Sequence, residues 1–330
     1  MNRRSTIILS IIFGGVLLGI WIYLVDIKEM LNIVKEFKIS LIIPLGAIFT
    51  LVYFIRSLRW RIILSPISQI TVFESFKLCM TNYFINFLIP IHAGEIAKSL
   101  LLKKIDGTPV SKSILTVYLD KITDMLPIFL LMVVAPFVDP QISSIIYLIS
   151  GALFIILLVC ILFYFSVALK KNVALSLIDK IFFFFPEHIK SKLRSFVSVI
   201  TEAATSLPQL SKRLFEIVSL TILALIFHCA LMWLFFYSFG IKMPLVNVFV
   251  GYLLLNASFL LPAPPGFSGS LELTFLFIFS FLLGYDKNIV SVVAAGSHLL
   301  LALLFGFWGI LSIVLLGTRL TAVFKMGSGE

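Results

Sequence analysis

The sequence predicts an all-α, polytopic helical membrane protein with about six full spans and two re-entrant helical hairpins related as an inverted repeat. Three observations predict it. Of 330 residues, 60% are hydrophobic and only 13% are charged, with a mean hydropathy of +1.12. That is too little charge to cover the surface of a soluble domain of this size. Several apolar runs reach the roughly 20 residues that a helix needs, at about 1.5 Å each, to cross about 30 Å of hydrocarbon. The alternating ten-residue pattern of a barrel strand is missing, so helices must satisfy the backbone within the membrane.

In chain order, full spans are expected at 7–25, 39–57, 113–137, 142–169, 215–239 and 290–316. The first follows Arg3 and Arg4 as a signal peptide would, but Ile7 to Val25 carries no small-residue cleavage site, and an uncleaved span is expected. Two further apolar stretches are broken. Residues 73–90 run into Pro90-Ile91-His92-Ala93-Gly94-Glu95 and resume as Ile96 to Leu102. Residues 246–261 run into Pro262-Ala263-Pro264-Pro265-Gly266 and resume as Leu271 to Leu283. Proline removes an amide donor and clashes with the preceding turn, so neither stretch is one straight helix. Each pair is either two spans joined by a loop or a re-entrant hairpin with its tip at membrane depth. Ile96 to Leu102 is too short to cross before Lys103 and Lys104, which favours the hairpin.

Charge sets the orientation. With two hairpins, 19 of the 26 Lys and Arg residues fall on one side, 5 fall on the other, and Lys77 and Lys121 are unassigned. The positive-inside rule then places both termini in the cytoplasm, in a cell (cytoplasmic) membrane. The net charge of +10 follows from that topology and from attraction to anionic lipid heads; no basic module suited to nucleic acid is present. The chain is expected to form a single transmembrane domain over 1–330. Within it, 170–213 is the one sizeable polar stretch. Ile178, Ile181, Phe182 and Phe185 recur there at helical spacing beside Lys180, Lys190, Lys192 and Arg194. Amphipathic helices lying in the cytoplasmic interface, or a surface that docks lipid heads, would both read this way.

The two broken stretches share a pattern. The first reads Asn86-x3-Pro90-x3-Gly94-Glu95, and the second Asn256-x5-Pro262-x2-Pro265-Gly266-x2-Gly269-x2-Glu272, with Pro264 beside Pro265. Entering from opposite faces, they have the form of an inverted repeat around a central site. Helix N-termini pointing inward would offer unpaired amides to a phosphate or other anionic head. Ordinary surface turns are the plainer alternative.

Asp120-Lys121-x2-Asp124 lies two to three turns into the 113–137 span. Asp120 and Asp124 share a helix face, and Lys121 precedes Asp124 by three. A charge at mid-bilayer costs roughly 2.5–3.5 kcal/mol on insertion scales, so these three must pair or hydrate. They form an internal ion-pair network, a polar cavity wall, or both. Arg56-x2-Arg59-Trp60-Arg61 closes the second span, either as an interface anchor or in contact with phosphate through an Arg fork. His92 lies in the first break, where it would titrate near neutral pH. His228 and His298 sit singly within spans, as core histidines with hydrogen bonds do, and His188 carries no signal. Cys79, Cys160 and Cys229 stand in apolar runs without metal or redox spacing, as small buried hydrophobes. The sequence holds no GxxxxGK[ST] loop, HExxH or Gly-x-Ser-x-Gly elbow, and neither a cofactor nor a metal is expected.

Together Arg59-Trp60 with Leu64, Asn86-Phe-Leu-Ile-Pro90-Ile-His-Ala-Gly94-Glu95-Ile-Ala-Lys98, Asp120-Lys121-x2-Asp124 and Pro265-Gly266-Phe-Ser-Gly269-Ser-Leu-Glu272 resemble the lysylphosphatidylglycerol synthase transmembrane family. This is the flippase-like domain that precedes a soluble aminoacyl-transferase in the bacterial multiple peptide resistance factor. The resemblance covers nearly the whole chain. It implies two re-entrant elements near a central cavity and translocation of lipid between leaflets, aminoacylated phosphatidylglycerol being the best-known cargo. Members often carry Arg at His92 and Lys98, Glu-Arg at Asp120-Lys121, and Gly at Phe267.

The expected function is therefore flipping of a polar-headed lipid, aminoacylated or linked to polyprenyl phosphate. Its head would pass a cavity lined by Arg59, Asn86, His92, Gly94, Glu95, Lys98, Asp120, Lys121, Asp124, Asn256, Gly266, Gly269 and Glu272, while Pro90, Pro262, Pro264 and Pro265 break the hairpins. Two alternatives stand beside it. One is a membrane enzyme acting on a lipid-linked substrate with Glu95 or Glu272 as acid or base, although no catalytic motif supports it. The other is an accessory subunit of a separate lipid transferase, since no soluble transferase domain is expected within these 330 residues. Membrane lipid is the expected partner, together with such a transferase or further copies of the chain.

Overall fold

The computed structural model describes residues 3–89, 93–125, 127, 212–259 and 263–318, with isolated positions between 144 and 187 and with side chains from Ile12 onward. Within these the chain is all-helical. The helices are α1 (Arg3–Leu24), α2 (Ile27–Val34), α3 (Ile42–Leu64), α4 (Val72–Leu88), α5 (Ala93–Asp106), α6 (Val110–Met125), α7 (Leu214–Ser238), α8 (Leu245–Ser258), α9 (Ser270–Phe275) and α10 (Lys287–Leu315). A 3₁₀ turn (Ile39–Leu41) leads into α3, another (Pro265–Phe267) precedes α9, and α9 continues as a widened π stretch over Leu276–Leu282.

Three helical stretches among the described residues, Ile39–Leu64, Leu214–Ser238 and Lys287–Leu315, are long and apolar enough to cross a membrane. With the shorter apolar helices they make this a multi-pass helical membrane protein. Large apolar side chains such as Phe215, Phe281, Leu299 and Phe307 face outward, where lipid replaces water as solvent. The span expected at 39–57 continues to Leu64, because Arg56 and Arg59 turn inward to partners within the protein and do not end the helix at the interface. The spans expected at 215–239 and 290–316 fall within a few residues of α7 and α10. The 113–137 span is described as far as Met125. The 142–169 span and the 170–213 segment lie almost wholly outside the described residues, as do Pro90, His92 and Pro262.

Hydrogen bonds fix which helix ends lie together. At one end Arg61 Nε donates to Ile70 O at 2.6 Å, Ser75 Oγ to Ser57 O at 2.7 Å, and Arg213 Nη1 to Ser65 Oγ at 3.2 Å. Asp106, at the end of α5, accepts from Ser68 Oγ and from Thr108 N. Burial opposes its ionisation, but these hydrogen bonds prevail and hold the carboxyl below its ordinary range. At the opposite end Lys38 N donates to Ser238 O at 2.9 Å, Asp26 N to Asn288 Oδ1 at 2.9 Å, and Asn247 Nδ2 to the Tyr285 hydroxyl at 2.8 Å. The pair α4–α5 thus starts and finishes at the first end, and the pair α8–α9 at the second.

Neither pair has members as long as the three spans. Helix α4 has 17 residues, α5 has 14, α8 has 14, and α9 with its π stretch has 6 and 7. At about 1.5 Å per residue these cover roughly 20–26 Å. The two pairs meet near their tips, where the Phe87 ring lies 6.1 Å from that of Phe267, and Phe87 also lies 5.8 Å from the His298 ring of α10.

Both tips depend on close backbone approach. A Cβ built on Gly94 would stand 2.2 Å from the Asn82 carbonyl oxygen, and one on Gly269, at φ +74°, 2.4 Å from Leu18 N of α1. The first contact lets α5 start flat against α4, and the second seats the start of α9 on α1. Because the obstacle at Gly94 is backbone, Gly94→Ala is expected to push α5 off α4 and to lower stability by about 1–3 kcal/mol. This would be measured as a lower midpoint of thermal unfolding in detergent micelles.

Candidate functional site: a buried charge cluster and a polar cleft

Asp120 and Asp124, four residues apart on α6, face α3, as their shared face requires. Arg59 on α3, 1% exposed, lies between them. Its Nε donates to Asp120 Oδ1 at 2.9 Å and its Nη2 to Asp124 Oδ1 at 2.5 Å, while Nη1 reaches Thr221 Oγ1 of α7 at 3.3 Å. Arg56, one turn earlier, meets the same Asp124 Oδ1 at 2.8 Å. Its guanidinium also lies 5.9 Å from the centre of the Tyr53 ring and 5.8 Å from that of Tyr83, near the outer range for a cation–π contact. Two arginines and two carboxylates therefore balance to zero.

This cluster opens on a polar cleft between α3, α6, α7 and α8, lined by Arg56, Arg59, Asp124, Pro127, Thr221, Ala224, Leu225, His228, Tyr252 and Asn256. The cleft has about 240 Å³ of space between atoms, counting the part open to the outside. Its enclosed part takes about one water molecule. Asn256 Nδ2 donates to Asp124 O at 2.9 Å, tying the end of α8 to α6. His228 stacks on Tyr252 with ring centres 4.9 Å apart.

The other expected residues fall in two further places. Lys121 turns away from Asp124 and pairs across to Glu95 of α5 at 2.5 Å. Asp120, Lys121 and Asp124 thus serve two neighbouring helices, and the i,i+3 pairing that the spacing suggests does not form. Lys98, 2% exposed, puts Nζ 3.4 Å above the centre of the Trp60 ring, and Trp60 Nε1 donates to Thr116 Oγ1 at 3.2 Å. At the junction of α4 and α5, Gly94 N donates to Asn86 Oδ1 at 2.8 Å. The Asn86 side chain thereby caps an amide of the helix start that the sequence offered to an anion.

The second tip holds Gly266, Gly269, Glu272, Pro264 and Pro265. Gly266 and Phe267 both adopt left-handed backbone, at φ +63° and +54°. Pro265 opens that turn, and Pro264 packs against Gly14 of α1. Glu272, 5% exposed, has Oε1 2.6 Å from His298 Nδ1, and His298 Nε2 is 2.6 Å from Gly266 O.

Sequence reasoning takes Arg56 within a motif that is either an interface anchor or a phosphate contact, does not single out Thr221 or Tyr252, and reads His228 as a core residue. The signal was present in the spacing. Thr221 and His228 are seven apart on α7, and Tyr252 and Asn256 are four apart on α8, so each pair shares a face. No group of three or more His, Cys, Asp or Glu suited to a metal occurs among the described residues.

A family model described as the transmembrane (TM) region of lysylphosphatidylglycerol synthase matches residues 7–318. No curated protein and no solved structure gives a significant match.

Removing one partner of a buried pair strands the other, at a cost of about 3–5 kcal/mol. Arg59→Ala and Asp120→Ala are each expected to lie in that range, whereas Arg56→Ala, which leaves Asp124 Oδ1 still paired with Arg59, costs less. Denaturant unfolding in micelles measures this. The double variant Arg59→Ala/Asp120→Ala is expected to lose clearly less than the sum of the single losses.

Proposed function

From a chain that belongs to the lysylphosphatidylglycerol synthase transmembrane-region family, we propose translocation of a polar-headed lipid between membrane leaflets. The carrying observation is the cluster Arg56, Arg59, Asp120 and Asp124, set inside a membrane protein and opening on a cleft lined by Thr221, His228, Tyr252 and Asn256. Such a cluster is a poor device for stability, because apolar side chains of similar volume hold helices together as well or better. Ionisable groups at membrane depth instead mark paths for polar cargo.

In this reading the six-span topology holds, with both termini cytoplasmic and α4–α5 and α8–α9 dipping in from opposite faces as an inverted repeat. The shortness of their helices and the position of their ends support it. A phosphate would take the Arg56 fork in exchange for Asp124, and a cationic or hydroxylated head would find Asp124, Tyr252 and Asn256. The acyl tails would remain in lipid, so only the head is carried past the hydrocarbon barrier. Arg56 is the exchangeable cation, since one oxygen of Asp124 holds it, while Arg59 keeps two carboxylates.

Vesicles containing the full chain and head-labelled lipids test this, with a panel of anionic, cationic and polyprenyl-phosphate lipids. At least one lipid is expected to reach the opposite leaflet faster than in protein-free vesicles. Arg56→Gln is expected to slow that lipid at least about tenfold, roughly the 1.4 kcal/mol that separates a charge-assisted bond from a neutral one, while the unfolding midpoint changes little. Equal rates with and without protein across the whole panel would defeat the proposal. A lipid product of altered mass would point to catalysis instead.

A further inference from the structure

The cleft does not use His298 or Glu272, although both are polar, lie inward, and touch the place where the two broken pairs meet. His298 is the twelfth residue of α10, about 17 Å along that helix from Lys287, and so lies near mid-membrane. Its two ring nitrogens face two oxygens at 2.6 Å each: Glu272 Oε1 at Nδ1, and the Gly266 carbonyl at Nε2. The second Glu272 oxygen, Oε2, is buried and bonds nothing among the described residues.

The count of protons follows from the partners. A carbonyl oxygen only accepts, so Nε2 must carry hydrogen for its bond to Gly266 to exist. Nδ1 and Oε1 then need one hydrogen between them, on the imidazolium or on the carboxylic acid. Both arrangements contain one proton more than a neutral imidazole beside a carboxylate. If that proton leaves to water, the pair passes from net charge zero to −1, and two acceptor lone pairs face each other across one of the two contacts. Either the Glu272 bond or the Gly266 bond must then fail.

The geometry points to a proton-binding site at Glu272 and His298 that latches the second tip to α10, closed with one proton bound and released when that proton is lost. Glu272 is the charged group that faces the imidazole among the described residues. The neighbour from α4 is the apolar Phe87 ring, with Phe267 behind it, and Gly14 and Leu18 of α1 meet the turn with backbone and apolar atoms. Among the described residues nothing else there supplies a countercharge once the proton has gone. The left-handed Gly266 and Phe267 give the turn its aim, and His298 holds it by a carbonyl within that same turn. Proton loss would therefore free the segment that contacts the other tip. The site stands on this geometry. Its use, to couple lipid passage to protonation, rests on the translocation reading above. The sign is fixed: the latch is closed at lower pH and opens as pH rises.

The test uses the full chain in lipid vesicles with ¹⁵N-labelled histidine, followed by solid-state NMR between about pH 5 and 10. One of the 4 histidines, identified by its loss in His298→Gln, is expected to be hydrogen-bonded at both nitrogens at low pH and to lose one of those bonds as pH rises. In Glu272→Gln the amide can donate to Nδ1, so both contacts survive with neutral imidazole and the transition is expected to vanish. Lipid transfer by the wild type should change rate across the same pH interval, and in Glu272→Gln it should lose that dependence. Hydrogen bonding at the two His298 nitrogens that does not change with pH, or a transition that persists in Glu272→Gln, overturns the site. A rate that stays level through a clear His298 transition overturns the coupling. Titration without movement of any lipid would leave the proton site standing and sink only the translocation reading.

Discussion

Arg59 has nowhere to place its charge except on α6. It is buried almost completely, in a protein whose outer surface faces hydrocarbon, and the cost of an isolated charge there exceeds what packing can offset. Its bonds to Asp120 and Asp124 therefore fix the rotation of α6 against α3, and the bond to Thr221 adds α7. With that rotation set, Lys121 must point toward α5, where Glu95 waits. The placement of the first broken pair beside the cluster follows from one guanidinium finding two carboxylates.

The same constraint shapes the chemistry. A cluster of fixed positive charge would hold a phosphate too firmly to let it move on, and an acidic one would repel it. Here the charges cancel, and Asp124 Oδ1 is shared between Arg56 and Arg59. One partner can leave without exposing a bare carboxylate, because the other remains. That arrangement suits the proposed path, where every contact would have to form and then break.

Much of this was legible in the residues. The apolar runs gave the fold class, since nothing but a membrane tolerates so little charge over such a length. The prolines and glycines near 90–94 and 262–269 announced breaks, and the aspartates of α6 announced partners four residues apart. What could not be read was direction across space. Lys121 looked like a neighbour for Asp124, but a helix sends residues three apart toward different helices when each has a stronger partner elsewhere. Asn86 looked available to a ligand, yet its carboxamide is taken up in capping Gly94. His298 gave no hint of Glu272, because 26 residues and the turn at Gly284 separate them. On the cleft's far wall, Asn256 stood in the Asn–Pro pattern, but Thr221, His228 and Tyr252 stand singly in apolar runs, and only their meeting makes a site.

Phe267 carries a further consequence. A side chain with a Cβ in the left-handed region costs about 1–2 kcal/mol, and an aromatic pair returns about 0.5–1.5 kcal/mol beyond its buried area. The ring packs on Phe87 and on Phe259, 5.4 Å away, so two terms of similar size oppose each other at one residue. Parting the joint would relax the backbone as it forfeits the stacking, and neither arrangement is deeply favoured. If lipid heads pass here as proposed, a joint balanced so evenly would answer to small inputs such as a single head group beside it.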